Sequence, residues 1–410
     1  MPATIVQIIP RLDTGGAEMA TLEITQALTE IGARAIVLCE GGRMVEDVKA
    51  AGGEWVQFPA ATRNPFGIFA NVGRLTMFLA ENGADLIHAR SRAPAWSAVA
   101  AARRCRIPFV TTYHGAYGTG IPFKNAYNGV MAQGHLVIAN SQFTADLIKE
   151  RHGTDERRLR IIHRGVDLEA FDPARVAASR IAKVRQDWGA AEKDRIVLHA
   201  ARLTSWKGQR VVIEAARQLL AEGGDRQVKF VLAGDAQGRE EYVRALEAQI
   251  AEAGLGAQVR LAGHCDDMAA AFAAAHVALV ASTEPEAFGR VAVEAQAMGC
   301  PVIAARLGAV QETVLAPPKV EEGEATGWLI QPNDPVKLAA TIRASLDMGV
   351  RQRQAMERRA RSNVAAHFSS QAMRRATLDV YRELLGPKLP AASTASGGAQ
   401  KSGRGRAHSG

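Results

Sequence analysis

The chain has 410 residues, 47% of them hydrophobic and 22% charged, which excludes disordered, collagen-like and disulfide-scaffold proteins. This length predicts two domains. The formal net charge is +8, and the rest of the chain is only mildly basic because residues 388–410 contain four basic residues and no acidic residue. The four cysteines form no close pair, which argues against a CxxC metal site and favours a reducing, cytoplasmic compartment.

The N-terminal sequence predicts a strand rather than a signal peptide. The apolar stretch from Ile5 to Pro10 is short, and the charged residues Arg11 and Asp13 follow it. The most apolar later stretch, residues 268–281, is shorter than a membrane-spanning helix requires. We therefore expect neither a leader peptide nor a spanning segment.

Short β-type runs alternate with longer helical stretches along the chain, and several runs are apolar throughout, which is typical of parallel strands covered by helices on both faces. The first series of predicted strands comprises residues 3–9, 34–38, 85–89, 108–113, 135–140 and 159–163. The second comprises residues 196–200, 229–234, 258–263, 277–282, 301–305 and 327–330. The clearest predicted helices are 16–31, 141–151 and 174–188, and the pattern is helical from 334 to 385. This order predicts an α/β chain with two doubly wound, Rossmann-like domains.

The two strand series meet near Phe171 to Pro173, so we place one domain at residues 1–172 and the other at 173–387. The second includes the terminal helices, and its last helix is a candidate to pack back on the first domain. Residues 388–410 have almost nothing to bury and are expected to form a disordered basic tail. Two such domains face each other across a cleft at the carboxyl ends of their strands, where open α/β sheets bind ligands.

The loop after predicted strand 277–282 holds the most informative pattern. Glu286 lies on this loop and Glu294 about a turn and a half inside the following helix, so both can face the cleft. Between them, the amides around Phe288 and Gly289 open a helix N-terminus that can bind phosphate. A carboxylate inside the helix suits the vicinal hydroxyls of a ribose. Either glutamate taken alone is better explained by the helix dipole than by ligand binding.

Two other loops carry groups suited to a phosphorylated ligand. Arg202 and Lys207 follow predicted strand 196–200, and such cations can neutralise a departing diphosphate without a metal. Taken alone, however, the two are better explained as side chains on a solvated loop. Gly15 and Gly16 follow the first strand and let the backbone approach a ligand, but the sequence there is not the GxGxxG fingerprint. His114 follows another strand, where a structural histidine is an equal alternative.

Further loop positions include Gly234 and His264, and Ser141 matches a helix N-cap. The ten histidines form neither HExxH nor a Cys-His box, so no metal site is predicted.

Taken together, PRLDTGGAE, TTYHG, ANS, RGVD, ARLTSWKG, LAGD, LAGH and EPEAFGRVAVEAQAMGCPVIA resemble the family 4 retaining glycosyltransferases of GT-B fold over residues 3–385. The resemblance implies that residues 1–172 bind the acceptor and residues 173–387 a nucleotide-diphosphate sugar, with UDP slightly favoured over GDP and no cofactor. It implies transfer of a hexose with retained configuration, without metal, by front-face attack in which the departing phosphate helps to deprotonate the acceptor.

The resemblance also assigns roles to single residues. Glu294 binds the ribose, Glu286 the transferred sugar, and His114 lies beside the reacting sugar. The implied catalytic residues are His114, Arg202, Lys207 and Glu286. The implied donor-binding residues are Gly15, Gly16, Arg202, Lys207, Gly234, His264, Glu286, Phe288, Gly289 and Glu294. The family usually has Asn where this chain has Arg164, so no contact is transferred to that position.

The distribution of charged residues in the sequence indicates what kind of acceptor the chain binds. Residues 86–145 contain Arg90, Arg92, Arg103, Arg104, Arg106 and Lys124 but no acidic residue, which suits a phosphorylated acceptor or an anionic membrane surface, while scattered solvated charge is an equal alternative. The patterns HARSRAPAWSA and TTYHGAY resemble enzymes that build lipopolysaccharide core, which implies a glycan or glycolipid acceptor and peripheral contact with the cytoplasmic face of the inner membrane.

Two other functions remain open: a nucleotide-sugar epimerase of similar fold, and a non-catalytic bilobal protein that binds nucleotide sugars. Nucleic acid is not an expected partner, because the basic segment KSGRGR is short and has no interleaved aromatic residues.

Overall fold

The structure, a computed structural model, describes residues 2–13, 15–116, 124–221, 223 and 227–390. The first domain contains a parallel sheet built from β1 (Thr4–Ile8), β2 (Arg34–Cys39), β3 (Glu54–Gln57), β4 (Leu86–Ala89), β5 (Phe109–Tyr113), β6 (Leu136–Ala139) and β7 (Leu159–Ile161). Its strand order is β3-β2-β1-β4-β5-β6-β7.

The second domain contains another parallel sheet, built from β8 (Arg195–Ala200), β9 (Val228–Ala233), β10 (Val259–Gly263), β11 (Val277–Val280), β12 (Val302–Ala305) and β13 (Trp328–Ile330). Its strand order is β10-β9-β8-β11-β12-β13. Both sheets are doubly wound, so the predicted fold class is confirmed.

Helices cover both sheets. Those of the first domain are α1 (Gly16–Glu30), α2 (Val45–Ala50), α3 (Pro65–Glu81), α4 (Arg92–Cys105), α5 (Lys124–Asn128) and α6 (Gln142–His152). Those that follow are α7 (Ala178–Asp187), α8 (Gln209–Ala221), α9 (Glu240–Glu252), α10 (Met268–Ala274), α11 (Arg290–Ala297), α12 (Val310–Thr313), α13 (Pro335–Leu346), α14 (Val350–His367) and α15 (Ser370–Leu385). No helix among the described residues is long and apolar enough to cross a membrane.

The strand β3 was not predicted from the sequence. It lies at the edge of the first sheet and pairs with β2 alone, with Glu54 and Gln57 exposed and Trp55 and Val56 half-buried. An edge strand covered on one side need not be apolar throughout, whereas the predicted central strands are buried on both faces. The apolar pattern therefore found the central strands and missed this one.

The chain returns to the first domain at its end. The helix α15 packs against α1, and Tyr381 is buried there with its hydroxyl 2.6 Å from His88 Nδ1. Residues 391–410, which make up most of the predicted tail, lie outside the described part of the chain.

Each sheet reverses its strand order at one point, between β1 and β4 in the first and between β8 and β11 in the second. Open α/β sheets bind ligands in the crevice outside the carboxyl ends of such neighbouring strands. The loops after β1, β8 and β11 therefore determine what this molecule binds.

Candidate active site

A cavity of about 390 Å³ opens where the loops of the two domains meet. The predicted site residues that line it are Gly15, Gly16, Arg202, Lys207, Gly234, His264, Glu286, Gly289 and Glu294. The lining also includes His199, Ser282 and Arg290, which the sequence analysis did not assign. His114 and Phe288 do not line it.

The loop after β8 brings a lysine to the Glu286 carboxylate. Lys207 Nζ lies 2.5 Å from Glu286 Oε1 and 4.2 Å from the centre of the Trp206 ring. Only glycine fits at the next position, because Gly208 has φ 81° and a Cβ there would lie 1.8 Å from the carbonyl oxygen of Ala281. This close approach fixes the lysine loop against the strand that leads to Glu286.

Glu286 is held in place by several donors. Ser282 Oγ donates to its Oε1 at 2.5 Å, in addition to Lys207, while the backbone amide of Ala309 donates to its carbonyl at 2.9 Å. Its side chain is only 12% exposed. Because two donors already occupy Oε1, Oε2 is the oxygen left to accept a ligand hydroxyl.

Glu294 belongs to the first turns of α11. Arg290 Nε donates to Glu294 Oε1 at 2.5 Å, one helical turn away, and the Glu294 side chain is 11% exposed. Burial opposes the charge of Arg290, yet the pKa of its guanidinium is raised, because the carboxylates of Glu294 and Glu23 outweigh that burial. The pair places the Glu294 carboxylate on the cavity wall.

The N-terminus of α11 opens into the same cavity. Gly289 is the N-cap, with φ 80°, and no side chain caps the helix. Gly289, Arg290 and Val291 line the cavity, so backbone N–H groups without helical partners face it. Such a terminus can accept phosphate, and Lys207 lies on the same wall.

Arg202 is, with Lys207, one of the two cations predicted to bind the diphosphate. It is exposed and lines the cavity, and no carboxylate within the described residues forms an ion pair with it. Its charge is therefore available to an anionic ligand, whereas Lys207 already forms an ion pair with Glu286.

Gly234 and His264 also line the cavity, after β9 and β10. A Cβ on Gly234 would lie 1.8 Å from the carbonyl oxygen of Ala201, so close packing of the two loops already requires glycine there. The His264 ring lies 2.9 Å from Asp266. The role of each in donor binding stays a prediction.

Phe288 packs away from the cavity. Its ring is 4% exposed and lies 5.8 Å from the ring of Phe368, centre to centre. Ser141, which caps α6 by accepting from the Thr144 amide, also donates to the carbonyl of Ala287 at 2.7 Å. The aromatic ring therefore anchors the Glu286 loop where the two domains meet.

His114 is half-buried directly after β5, beside Arg164. A guanidinium of Arg164 contacts His114 Nδ1, and since guanidinium nitrogens only donate, Nδ1 must accept. Burial, and then the charge of Arg164, lowers the pKa of His114 well below its usual value, so the ring is neutral and carries its proton on Nε2. Nε2 is buried and has no hydrogen-bond partner among the described residues. His114 therefore presents one unused N–H donor.

Arg164 is the main residue that the sequence analysis missed. It is 8% exposed and donates to the carbonyl of Gly16, so it joins the glycine turn after β1 to His114. Burial, followed by the charges of Arg290 and Arg90, lowers the pKa of its guanidinium to about 10. The sequence signal was that Arg164 stands where the family usually has Asn. The residues that Arg164 contacts are distant from it in sequence, so the signal did not reveal them.

The sequence analysis predicted that the chain has no metal site, and that absence stays a prediction. Within the described residues, no three His, Cys, Asp or Glu side chains are grouped so that they could hold an ion.

Comparison with known proteins gives two family profiles and several relatives. The profile described as Glycosyltransferase Family 4 matches residues 14–170, and that described as Glycosyl transferases group 1 matches residues 180–363. A D-inositol 3-phosphate glycosyltransferase from Xylanimonas cellulosilytica is 29% identical and aligns over 90% of this chain and 92% of its own.

Two solved structures are similar over nearly their whole length. A glycosyltransferase from Rickettsia africae is 30% identical with a TM-score of 0.84, covering 94% of this chain and 99% of that one. Anabaena HepE, solved in complex with UDP and glucose, is 26% identical with a TM-score of 0.79, covering 93% of this chain and all of that one (100%).

Proposed function

This chain belongs to the family 4 glycosyltransferases of GT-B fold, and on that premise we propose that it transfers a hexose from a UDP-sugar. The transfer retains the anomeric configuration and needs no metal. The acceptor is a phosphorylated glycan or glycolipid. One observation carries the donor half of the proposal: Arg202, Lys207, the N-terminus of α11 and two buried carboxylates line a single cavity. The complex of HepE with UDP and glucose supports uridine as the base.

In this arrangement, the diphosphate lies against the α11 N-terminus and the two cations, while Glu294 accepts from the ribose hydroxyls. Glu286 accepts a hydroxyl of the transferred hexose through Oε2. Lys207 already contacts Glu286 at 2.5 Å, so one cation can steady both this carboxylate and the departing phosphate.

Retention follows from attack on the face that the phosphate leaves. The bond between the acceptor oxygen and the anomeric carbon forms as the bond from that carbon to the phosphate oxygen breaks, and the acceptor proton passes to the phosphate. In this arrangement neither oxygen of Glu286 is free for covalent attack, because Lys207 and Ser282 hydrogen-bond to Oε1 and Oε2 accepts a hexose hydroxyl. His114 does not line the cavity, so its contact with the reacting sugar rests on the family resemblance, with the unpartnered Nε2–H as the donor.

For the acceptor, the charge on the first domain supports a phosphate. Arg90 is 3% exposed and bonds to Gln7, and Arg164 is 8% exposed; neither forms an ion pair with a carboxylate in the described residues. Arg103, Arg104 and Arg106 lie at the opposite end of α4 from the cleft, so they do not bind the acceptor. Two acceptor classes fit: an inositol phosphate, as in the name of the Xylanimonas relative, and a lipopolysaccharide-core glycolipid at the cytoplasmic face of the inner membrane.

The test is a transfer assay with UDP-glucose and UDP-N-acetylglucosamine against inositol phosphate, inositol and a lipopolysaccharide core, each before and after phosphatase treatment. We expect UDP release that requires the acceptor's phosphate. Equal transfer to the dephosphorylated acceptor contradicts the acceptor proposal, and conversion of the donor without any acceptor indicates an epimerase.

A further inference from the structure

The helix α3 has an apolar outer surface. Its inner side packs Leu75 and Leu79 into the core of the first domain. On the opposite side, Phe66 is 85% exposed, Phe69 76% and Met77 64%. A surface helix normally turns polar residues outward, and contiguous exposed apolar side chains mark an interaction site.

The charges around these side chains are positive. Between residues 55 and 80 the charged residues are Arg63 and Arg74, and both are exposed. We name Arg63, Phe66, Phe69, Arg74 and Met77 the docking face. Over residues 55–145 of the sequence, two acidic residues stand against eight basic ones.

The docking face extends to the edge of the domain that carries the cleft. Helices that follow parallel strands begin at the carboxyl ends of those strands, and α3 follows β3, so Phe66 and Phe69 lie at the edge where Arg164 and His114 also lie. The helix α4 runs beside α3 in the same direction, since Ser97 Oγ donates to the carbonyl of Ile68 and Cys105 Sγ to that of Thr76.

We propose that the docking face binds an anionic lipid bilayer, with α3 lying in the interface and its aromatic side chains inserted. Apolar side chains flanked by arginines are what such a surface binds, because burial of the rings adds to attraction by anionic headgroups. A helix of 17 residues that includes the charged residues Arg74 and Glu81 lies on a membrane rather than crossing it. Binding at this edge turns the acceptor side of the cleft toward the membrane.

The experiment measures co-sedimentation of the full chain with vesicles of phosphatidylcholine alone and of phosphatidylcholine mixed with phosphatidylglycerol. We expect binding to the mixed vesicles and at least about tenfold weaker partitioning of the double variant Phe66→Ser, Phe69→Ser. The matched control is Val336→Ser, Val350→Ser, which removes side chains that are 61% and 71% exposed on the second domain and should bind like the wild type.

A charge arm separates lipid attraction from general stickiness. Reversal of Arg63 and Arg74 to Glu should weaken binding by about fivefold or more per charge, whereas reversal of the exposed Arg351 and Arg358 on α14 should not.

Three results would overturn the proposal: no binding of the wild type to the anionic vesicles, equal binding of the Phe66→Ser, Phe69→Ser variant, or a dimer that this variant dissociates, which would make the face a contact between copies. UDP binding by the same variant reports its fold. Failure of UDP binding in the wild type would count against the proposed function, not against the docking face.

Discussion

The exchange Glu294→Gln tests the ribose contact most sharply, because it removes a charge with almost no change of shape. The carboxylate is 11% exposed and uses Oε1 for Arg290, which leaves Oε2 for ribose hydroxyls. Hydrogen bonds to a charged group contribute about 1.5–3 kcal/mol, so the loss of one should weaken UDP binding by about 10- to 150-fold.

A matched control is present in α14. Arg353 Nε lies 2.9 Å from Glu357 Oε1, also one turn apart, with side chains 26% and 31% exposed, but this pair does not line the donor cavity. Glu357→Gln should therefore lose a similar ion pair and leave UDP affinity unchanged.

The assay is calorimetric titration of UDP and 2′-deoxy-UDP into the wild type and both variants. If Glu294 binds the ribose 2′-hydroxyl, the wild type should prefer UDP, and Glu294→Gln should lose much of that preference, giving a coupling between ligand and side chain. Unchanged UDP affinity in a folded Glu294→Gln variant would refute this reasoning.

Three further predictions concern the reaction and the stability of the fold. Lys207→Ala should lower turnover by about 10²- to 10³-fold, because the departing phosphate loses a cation. The control is Lys183→Ala, which breaks the exposed ion pair with Asp187 and should not lower turnover. Equal turnover of the two variants would remove Lys207 from the mechanism. His114→Gln, whose amide can donate from about the position of Nε2, should keep about fivefold more activity than His114→Asn, and the reverse order would contradict the assigned tautomer. Burial lowers the pKa of His199 to about 4 and that of His88 well below its usual value. Below about pH 6.5 these two side chains therefore bind protons in the unfolded chain but not in the folded one. The free energy of unfolding should therefore fall as the pH drops below about 6.5, by up to about 1.4 kcal/mol per pH unit for each such histidine, and show no such loss above it; urea titrations that agree at about pH 5 and pH 7 would count against this.

The fold was predictable where burial imposes a pattern. Central strands such as β1, β8 and β11 are buried along almost their whole length because helices cover both faces of each sheet, so their sequences are mostly apolar. The edge strand β3 has exposed residues at both ends and resembles a loop in sequence, so the pattern failed there.

The donor cavity was predictable to the extent that it is local. Glu286, the α11 N-terminus and Glu294 lie within nine residues of sequence, and the spacing alone places them on one wall. Arg164 contacts Gly16 and His114, which are 148 and 50 residues away, and no local pattern reports such contacts. The prediction for Phe288 concerned its backbone amide and stays a prediction, whereas its ring packs against Phe368, 80 residues later, a contact that no local pattern reports.

The measurement that tests the central claim most directly is a titration of the full chain with UDP, GDP and ADP, with thermal stability followed in the presence and absence of EDTA. A ligand that binds the native state alone raises the apparent stability. The account predicts a selective rise with UDP that EDTA leaves unchanged and that Glu294→Gln reduces. No rise with any nucleotide, or a rise that EDTA abolishes, would contradict the metal-independent donor site in this cavity.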